Sequence, residues 1–139
     1  MGGDYTRFVE VLTSFLTQLQ EDHIAVMFVF DGSTPAEKFA TKREREIEKM
    51  LVVQKMFKPH FEYSRRVRDS DRGPAPALLH VFAKCVLTDL RVPFITADAE
   101  ADGPIMTLAS ERVAYVCSGD SDHMIMKGSK GFVATVDFV

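Results

Sequence analysis

The fold class is decided by the run Ile24-Ala-Val-Met-Phe-Val-Phe-Asp-Gly32, in which an unbroken apolar stretch ends at an acidic residue and a glycine. A continuous apolar run that is rich in β-branched and aromatic residues is typical of a strand buried on both faces of a parallel sheet. The run therefore predicts a buried strand from Ile24 to Phe30, with Asp31 at its carboxyl end and a turn at Gly32.

Helical and strand patterns alternate on either side of this strand. Ahead of it, apolar residues recur at helical spacing from Tyr5 to Gln20, and Asp4 is in position to cap the helix. Downstream, the patterns predict helices over residues 36–58, 77–90 and 100–110, and strands over residues 92–95, 113–117 and 132–139. Such alternation is typical of βαβ units, so the chain is predicted to be α/β with a mostly parallel central sheet.

The composition is that of one globular domain. The 139 residues are 46% hydrophobic and 27% charged, which is ordinary for a soluble protein. No apolar run reaches the roughly 18 residues that a membrane span needs. Cys85 and Cys117 fall inside apolar segments without metal-ligand spacing, which predicts buried free thiols in a reducing compartment. Residues 1–139 are therefore expected to form a single intracellular domain without a membrane segment.

Positive charge is concentrated in the middle of the chain. Between Lys38 and Arg72 lie eleven of the seventeen basic residues and six of the twenty acidic ones, so this segment is net positive while the remainder is net negative. One interpretation is a face that binds a polyanion. The other is a solvated helix whose basic residues form ion pairs with Glu44, Glu46 and Glu48.

Acidic residues follow three of the predicted strands. Asp31 follows the first, Glu100 and Asp102 follow the second, and Asp120 and Asp122 follow the third. In an open parallel sheet the ligand crevice lies outside the strand carboxyl ends, so these groups are expected to converge. Two unit charges about 4 Å apart repel by about 4 kcal/mol at an effective dielectric near 20, and a protein offsets that cost by protonating some of the groups or by binding cations. Oxygen ligands select magnesium or manganese, and two such ions together promote phosphodiester hydrolysis.

Each acidic motif also has a simpler interpretation. Asp31-Gly32 is common as a turn, Asp120-Ser-Asp122 as a polar loop or helix cap, and Glu100-Ala-Asp102 as the acidic first turn of a helix. Their recurrence at one edge of the sheet favours the metal site over three unrelated coincidences. His123, beside the last pair, is interpreted as a capping or surface residue because the other candidate ligands are all oxygen donors.

The acidic motifs resemble those of flap endonucleases. Phe28-Val-Phe-Asp-Gly32 with a basic helix after it resembles their second acidic motif, Ala99-Glu-Ala-Asp102 their Glu-Ala-Glu motif, and Ser118-Gly-Asp-Ser-Asp122 their paired-aspartate motif. Within that superfamily the likeness is greatest to the asteroid homologs. Two further stretches of this chain also resemble asteroid sequences, namely Gly2-Gly-Asp-Tyr5 and Ile105-Met-Thr-Leu-Ala109.

This resemblance implies a three-layer, PIN-like domain. It also implies a structure-specific endonuclease that acts in the nucleus on DNA with single-stranded, flap or overhang character, together with protein partners. An RNA-directed PIN-type nuclease is the less favoured alternative. The metal ligands implied for two magnesium or manganese ions are Asp31, Glu100, Asp102, Asp120 and Asp122. Residues 36–76 would form a basic, helical clamp, with DNA contacts implied for Lys42, Arg43, Arg65, Arg66 and Arg68.

The chain departs from the family pattern in what it lacks. The family supplies one aspartate from an N-terminal strand and usually another farther downstream, and neither position is present. The chain is therefore expected to be a fragment whose sheet is missing its first strand, which argues against activity of this piece alone. The alternative function is a catalytically incomplete, nuclease-like fold that acts as a protein- or nucleic-acid-binding or signalling module.

A second departure is Gly103-Pro104, directly after Asp102. Glycine loosens a first helical turn, and proline lacks an amide hydrogen. One interpretation is a helix that begins late and swings Asp102 away from the metals. The other is an ordinary helix start with Pro104 at its first position.

Overall fold

The computed structural model describes residues 4–56, 76 and 78–134. These residues form a mixed α/β structure, which confirms the predicted class. No helix in the described ranges combines the length and the apolar character that a membrane crossing requires. The helices are α1 (Tyr5–Glu21), α2 (Phe39–Met56), α3 (Leu79–Asp89) and α4 (Asp102–Glu111); the strands are β1 (Phe28–Phe30), β2 (Phe94–Thr96), β3 (Tyr115–Ser118) and β4 (Gly131–Ala134), with 3-10 turns at Ala36–Lys38 and Ser121–Met124.

The strands pair in parallel, as predicted, but in two separate sheets. β1 pairs with β2, with Phe28 opposite Phe94, and β3 pairs with β4, with Tyr115 opposite Gly131. Within the described residues each sheet has two strands, so the expected single central sheet is not formed there. The three-layer, PIN-like arrangement stays a prediction.

Three helices end in the same way. Two residues past the end of α1, α3 and α4, a non-glycine residue adopts a left-handed φ, at a position that usually takes glycine. The next amide then donates to a carbonyl inside the helix at 2.8 Å, which is the Schellman arrangement. The left-handed residues are His23 (φ 57°), Arg91 (φ 54°) and Val113 (φ 51°), and the donor–acceptor pairs that follow are Ile24 N to Leu19 O, Val92 N to Leu87 O, and Ala114 N to Ala109 O.

These helix ends explain why the strands begin later than predicted. The amides of Ile24, Val92 and Ala114 are committed to the preceding helix, so these apolar residues cannot start the strand ladder. β1 therefore begins four residues after the predicted start at Ile24, and β2 and β3 begin two residues after the predicted starts at Val92 and Val113.

The described residues divide into two compact units, both within the span predicted as one domain. The first comprises the described residues within Met1–Val26 and Ala36–Val92. In it α1 packs against α3, and the ring of Tyr5 stacks on that of Phe82 with centroids 4.6 Å apart. The predicted cap of α1 is confirmed, because the Asp4 carboxylate accepts a hydrogen bond from Arg7 N at 2.9 Å.

The second unit comprises the described residues within Met27–Pro35 and Pro93–Val139, including both sheets and α4. Its core is a buried cluster of Met106, Ala109 and Val116, against which Ile105 and Phe132 pack. The prediction of strands buried on both faces is wrong here. The side chains of β1 are all half-buried, and Val116 alone is buried in β3, because each described sheet is only two strands wide.

The prediction of buried cysteines is also wrong. Cys85 and Cys117 are both exposed free thiols. Cys117 is exposed because neighbouring strand residues point to opposite faces, and Val116 takes the core-facing position of β3.

Candidate active site

The Asp31-Gly32 turn at the end of β1 is bound to the segment that follows β2. Asp31 Oδ1 accepts a hydrogen bond from Ala101 N at 2.8 Å, and Gly32 N donates to Ala99 O at 2.6 Å. Ala101 lies between Glu100 and Asp102 in the chain. The first two acidic motifs therefore meet at one edge of the β1–β2 sheet, as predicted from the parallel strand ends.

The same turn approaches the backbone after β2 very closely. Ser33 donates to the carbonyl of Asp98 twice, from its amide at 3.0 Å and from its hydroxyl at 2.6 Å. A Cβ added to Gly32 would overlap the backbone carbonyl of Ala97. Gly32 is therefore required for close approach of two backbone segments, a role that the turn interpretation of Asp31-Gly32 did not include.

The paired aspartates after β3 form a capped 3-10 turn. Asp120 Oδ1 accepts from Asp122 N at 3.0 Å, and Asp120 N donates to Ser118 Oγ at 3.0 Å. The cap interpretation of this motif is therefore confirmed. A carboxylate has two oxygens, so capping by one does not prevent the other from binding a ligand.

His123, in the same 3-10 turn, joins the third motif to the second. Its side chain is 2% exposed, and its Nε2 lies 3.4 Å from Asp102 Oδ1. Its ring stacks on Phe132 with centroids 6.4 Å apart. The expectation of a surface histidine is wrong, because the 3-10 turn directs the third residue after Asp120 into the core. Only that spacing, Asp120-Ser-Asp-His123, signals this position in the sequence.

Helix α4 starts at Asp102 despite the Gly103-Pro104 pair. The expectation of a late start is wrong, and so is the placement of Pro104 at the first helical position, since it is the third residue. Its missing amide hydrogen costs nothing there, because the first four amides of a helix have no intrahelical acceptor. The first helical bond runs from Ile105 N to Ala101 O at 2.8 Å.

The acidic residues lie where a solvent ion can reach them. Asp102 is 41% exposed at its side chain, and the other four candidates, Asp31, Glu100, Asp120 and Asp122, are also exposed. The donor set consists of carboxylate oxygens, which fits a hard ion such as magnesium or manganese. Across residues 4–56, 76 and 78–134, however, no group of three or more histidine, cysteine or acidic side chains is assembled to hold a metal. Among the described residues, the motifs are thus linked by hydrogen bonds and by the contact between His123 and Asp102, without a preformed metal cage.

The described part of the predicted clamp is the 3-10 turn Ala36–Lys38 followed by α2. Lys42 and Arg43 are exposed on α2. The hydrogen bond from Lys49 Nζ to Glu46 Oε1, 2.8 Å long, holds the pKa of Glu46 below its usual value. This pair confirms at one position the interpretation of ion pairs along the helix. The other predicted DNA contacts, Arg65, Arg66 and Arg68, lie outside the described residues.

The chain is similar along nearly its whole length to proteins named single-strand DNA endonuclease ASTE1. It is 33% identical to the Homo sapiens protein over 94% of this chain and 18% of that protein. It is 30% identical to the Mus musculus protein over 99% of this chain and 19% of that protein, and 31% identical to the Danio rerio protein over the same shares. The chain thus spans about a fifth of the length of these relatives. No family model and no solved structure matches it.

Proposed function

Because the chain belongs to the asteroid homolog family, we propose that it forms part of a metal-dependent endonuclease that hydrolyses phosphodiester bonds in DNA. The relatives' shared name supports DNA as the substrate. The observation that carries the proposal is the bond from Ala101 N to Asp31 Oδ1 at 2.8 Å. It ties acidic motifs 70 residues apart in sequence to one sheet edge.

The five acidic residues have complementary positions in this proposal. Asp31 and Asp102 are held by contacts to Ala101 N and His123 Nε2, and Asp120 is held by the amide of Asp122. These contacts fix carboxylates from three separate strand ends, and Glu100 and Asp122 would complete the ligand set. Divalent magnesium or manganese ions supply, when bound, activation of water and neutralisation of charge on the phosphate.

The basic segment would hold the DNA strand. Lys42 and Arg43 lie on a helix with no buried side chain among those described, so their charges are accessible to a phosphate backbone. In the proposal Arg65, Arg66 and Arg68 add to this surface. Binding of this kind depends on salt, because each neutralised phosphate releases counterions.

A second candidate function is a binding module with a nuclease-like fold that does not catalyse cleavage. The observation that favours it is the absence of an assembled group of three metal ligands within the described residues. In such a module the contacts of Asp31, Asp120 and His123 serve folding only.

The experiment that tests the proposal combines manganese binding by the 139-residue chain with cleavage by a longer protein, in which the chain is extended to carry the aspartates that the family pattern adds before and after it. Manganese should raise the melting temperature and permit cleavage of single-stranded, flap or overhang DNA, whereas chelator should abolish both effects. An RNA strand of the same sequence serves as the control substrate. A melting temperature that is insensitive to manganese, together with DNA binding without cleavage, would establish the binding module instead.

A further inference from the structure

His123 is the one polar side chain that is fully buried in the described part of the chain, at 2% exposure. Its imidazole has two nitrogens with different surroundings. Nε2 lies 3.4 Å from Asp102 Oδ1, whereas the buried Nδ1 has no hydrogen-bond partner. Buried polar atoms are nearly always paired, so an unpaired one calls for a physical explanation.

The surroundings select one tautomer of the neutral ring. A neutral imidazole has one N–H, and the other nitrogen is an acceptor. A proton on Nδ1 would bury an unpaired donor and would also face the Nε2 lone pair toward a carboxylate oxygen. A proton on Nε2 donates toward Asp102 and leaves only a lone pair without a partner. The second arrangement avoids the electrostatic repulsion and directs the one N–H toward a carboxylate oxygen.

We propose that His123 is a positioning residue, which donates its Nε2–H to Asp102 and fixes that carboxylate at the edge of the site. The role rests on the proposed metal-dependent function, in which Asp102 is a ligand. Outer residues that hydrogen-bond a metal ligand set its orientation and its basicity. Because Asp102 remains 41% exposed, its carboxylate can be held on one side and still bind an ion on the other.

The packing around His123 suits a rigid support. Its ring stacks on Phe132, which packs against the core cluster that includes Met106 and Ala109. Both of those residues belong to α4, the helix whose first residue is Asp102. Histidine and carboxylate are thus anchored to the same core, so that thermal motion of one relative to the other is restricted.

A purely structural role and a positioning role for His123 predict opposite outcomes for two substitutions. His123→Phe keeps a ring that stacks on Phe132 and removes the donor. His123→Gln loses the ring, but its amide NH₂ reaches about as far as Nε2 and retains the donor. If His123 only fills space, the phenylalanine variant resembles wild type. If it positions Asp102, the glutamine variant does.

The first measurement needs no metal. Nitrogen chemical shifts of the His123 ring, recorded by NMR in mildly alkaline buffer, should identify the Nε2–H tautomer, and Asp102→Ala should move the Nε2 resonance. A proton on Nδ1, or a spectrum that Asp102→Ala leaves unchanged, overturns the proposal.

The second measurement is manganese affinity, determined by calorimetry on the whole chain. His123→Phe should melt near the wild-type temperature and bind manganese about tenfold or more weakly. His123→Gln should melt lower and bind more tightly than the phenylalanine variant. Equal manganese affinity of wild type and His123→Phe overturns the positioning role alone. A wild-type chain that binds no manganese overturns the proposed metal dependence as well, so the two failures are distinguishable.

Discussion

Gly32 lies so close to the carbonyl of Ala97 that no side chain fits between them. The contact holds the turn after β1 against the backbone after β2, and it adjoins the bond between Asp31 and Ala101. Two of the three acidic strand ends therefore depend on a glycine that carries no chemistry of its own.

Gly32→Ala should destabilise the chain by about 1–3 kcal/mol, the range typical of overpacking, because the new Cβ meets backbone that cannot rotate away. Urea unfolding monitored by circular dichroism measures the change. Gly103→Ala is the matched control, since an added Cβ there meets nothing within 4 Å. That control should change the stability by less than about 1 kcal/mol, because the higher helix propensity of alanine is opposed by the restriction that Pro104 places on the residue before it. Equal stability of the Gly32→Ala variant and wild type would contradict the close approach.

Val113→Gly should stabilise the chain by up to about 1 kcal/mol. Val113 has a left-handed φ of 51°, which is unfavourable for a β-branched residue and readily adopted by glycine. Its side chain is 69% exposed, so little packing is lost. Thermal unfolding measures the effect, and Arg91→Gly, at the equivalent position after α3, should give a smaller gain because arginine is not β-branched. A loss of stability in Val113→Gly would show that its side chain contributes more than its backbone strain costs.

Asp120→Asn separates folding from chemistry at the third acidic motif. Asparagine keeps an oxygen that accepts from Asp122 N, and it is as good a cap as aspartate, so the melting temperature without metal should not change. Loss of the charge should abolish cleavage by the complete protein and the rise in melting temperature with manganese, while DNA affinity stays within severalfold. Asp120→Ala, which also loses the cap, should cost about 1 kcal/mol of stability in addition. Normal cleavage by Asp120→Asn would remove Asp120 from the mechanism.

The titration of Glu46 tests the ion pair on α2. The hydrogen bond and charge of Lys49 lower the pKa of Glu46, so the pair stabilises the folded helix at neutral pH. This stabilisation is lost as the pH falls through the lowered pKa. The carboxyl carbon shift of Glu46, followed by NMR, should titrate below the ordinary glutamate range, and Lys49→Met should raise the midpoint. Lys42→Met should raise it less, since Lys42 contributes the smallest effect. A midpoint that does not respond to Lys49→Met would exclude the pair in solution.

The salt dependence of DNA binding tests the basic segment. If Arg43 neutralises a phosphate of single-stranded DNA, Arg43→Ala should reduce the slope of log affinity against log salt concentration by about 0.7. Arg7→Ala is the control, because Arg7 is an exposed arginine of α1, outside this segment, and pairs with Glu10 at 3.2 Å. Fluorescence anisotropy at several salt concentrations gives both slopes. The same slope for Arg43→Ala and wild type would leave the segment without a phosphate contact at that position.

The sequence predicted the order of helices and strands because those patterns are local. Apolar spacing placed α1, and Asp4 marked its start. The predicted strand starts were wrong. The cause is also local, but the amino-acid types at those positions do not reveal it. Ile24 is apolar and β-branched, yet its amide completes the helix before it, and the usual glycine that announces such an ending is replaced by His23.

The sequence by itself determined that carboxylates follow the strands. Because the strands of a parallel pair run in the same direction, the sequence also predicted that the carboxyl ends of paired strands lie at one edge of the sheet. Only the tertiary structure decided the surroundings of those groups: Asp31 accepts a hydrogen bond from an amide 70 residues away, and Asp102 lies 3.4 Å from a buried histidine. The physical reason is that burial and hydrogen bonding depend on which segments pack against each other. The sequence alone does not show whether a histidine is solvated or buried, or whether a glycine lies where two backbone segments approach closely.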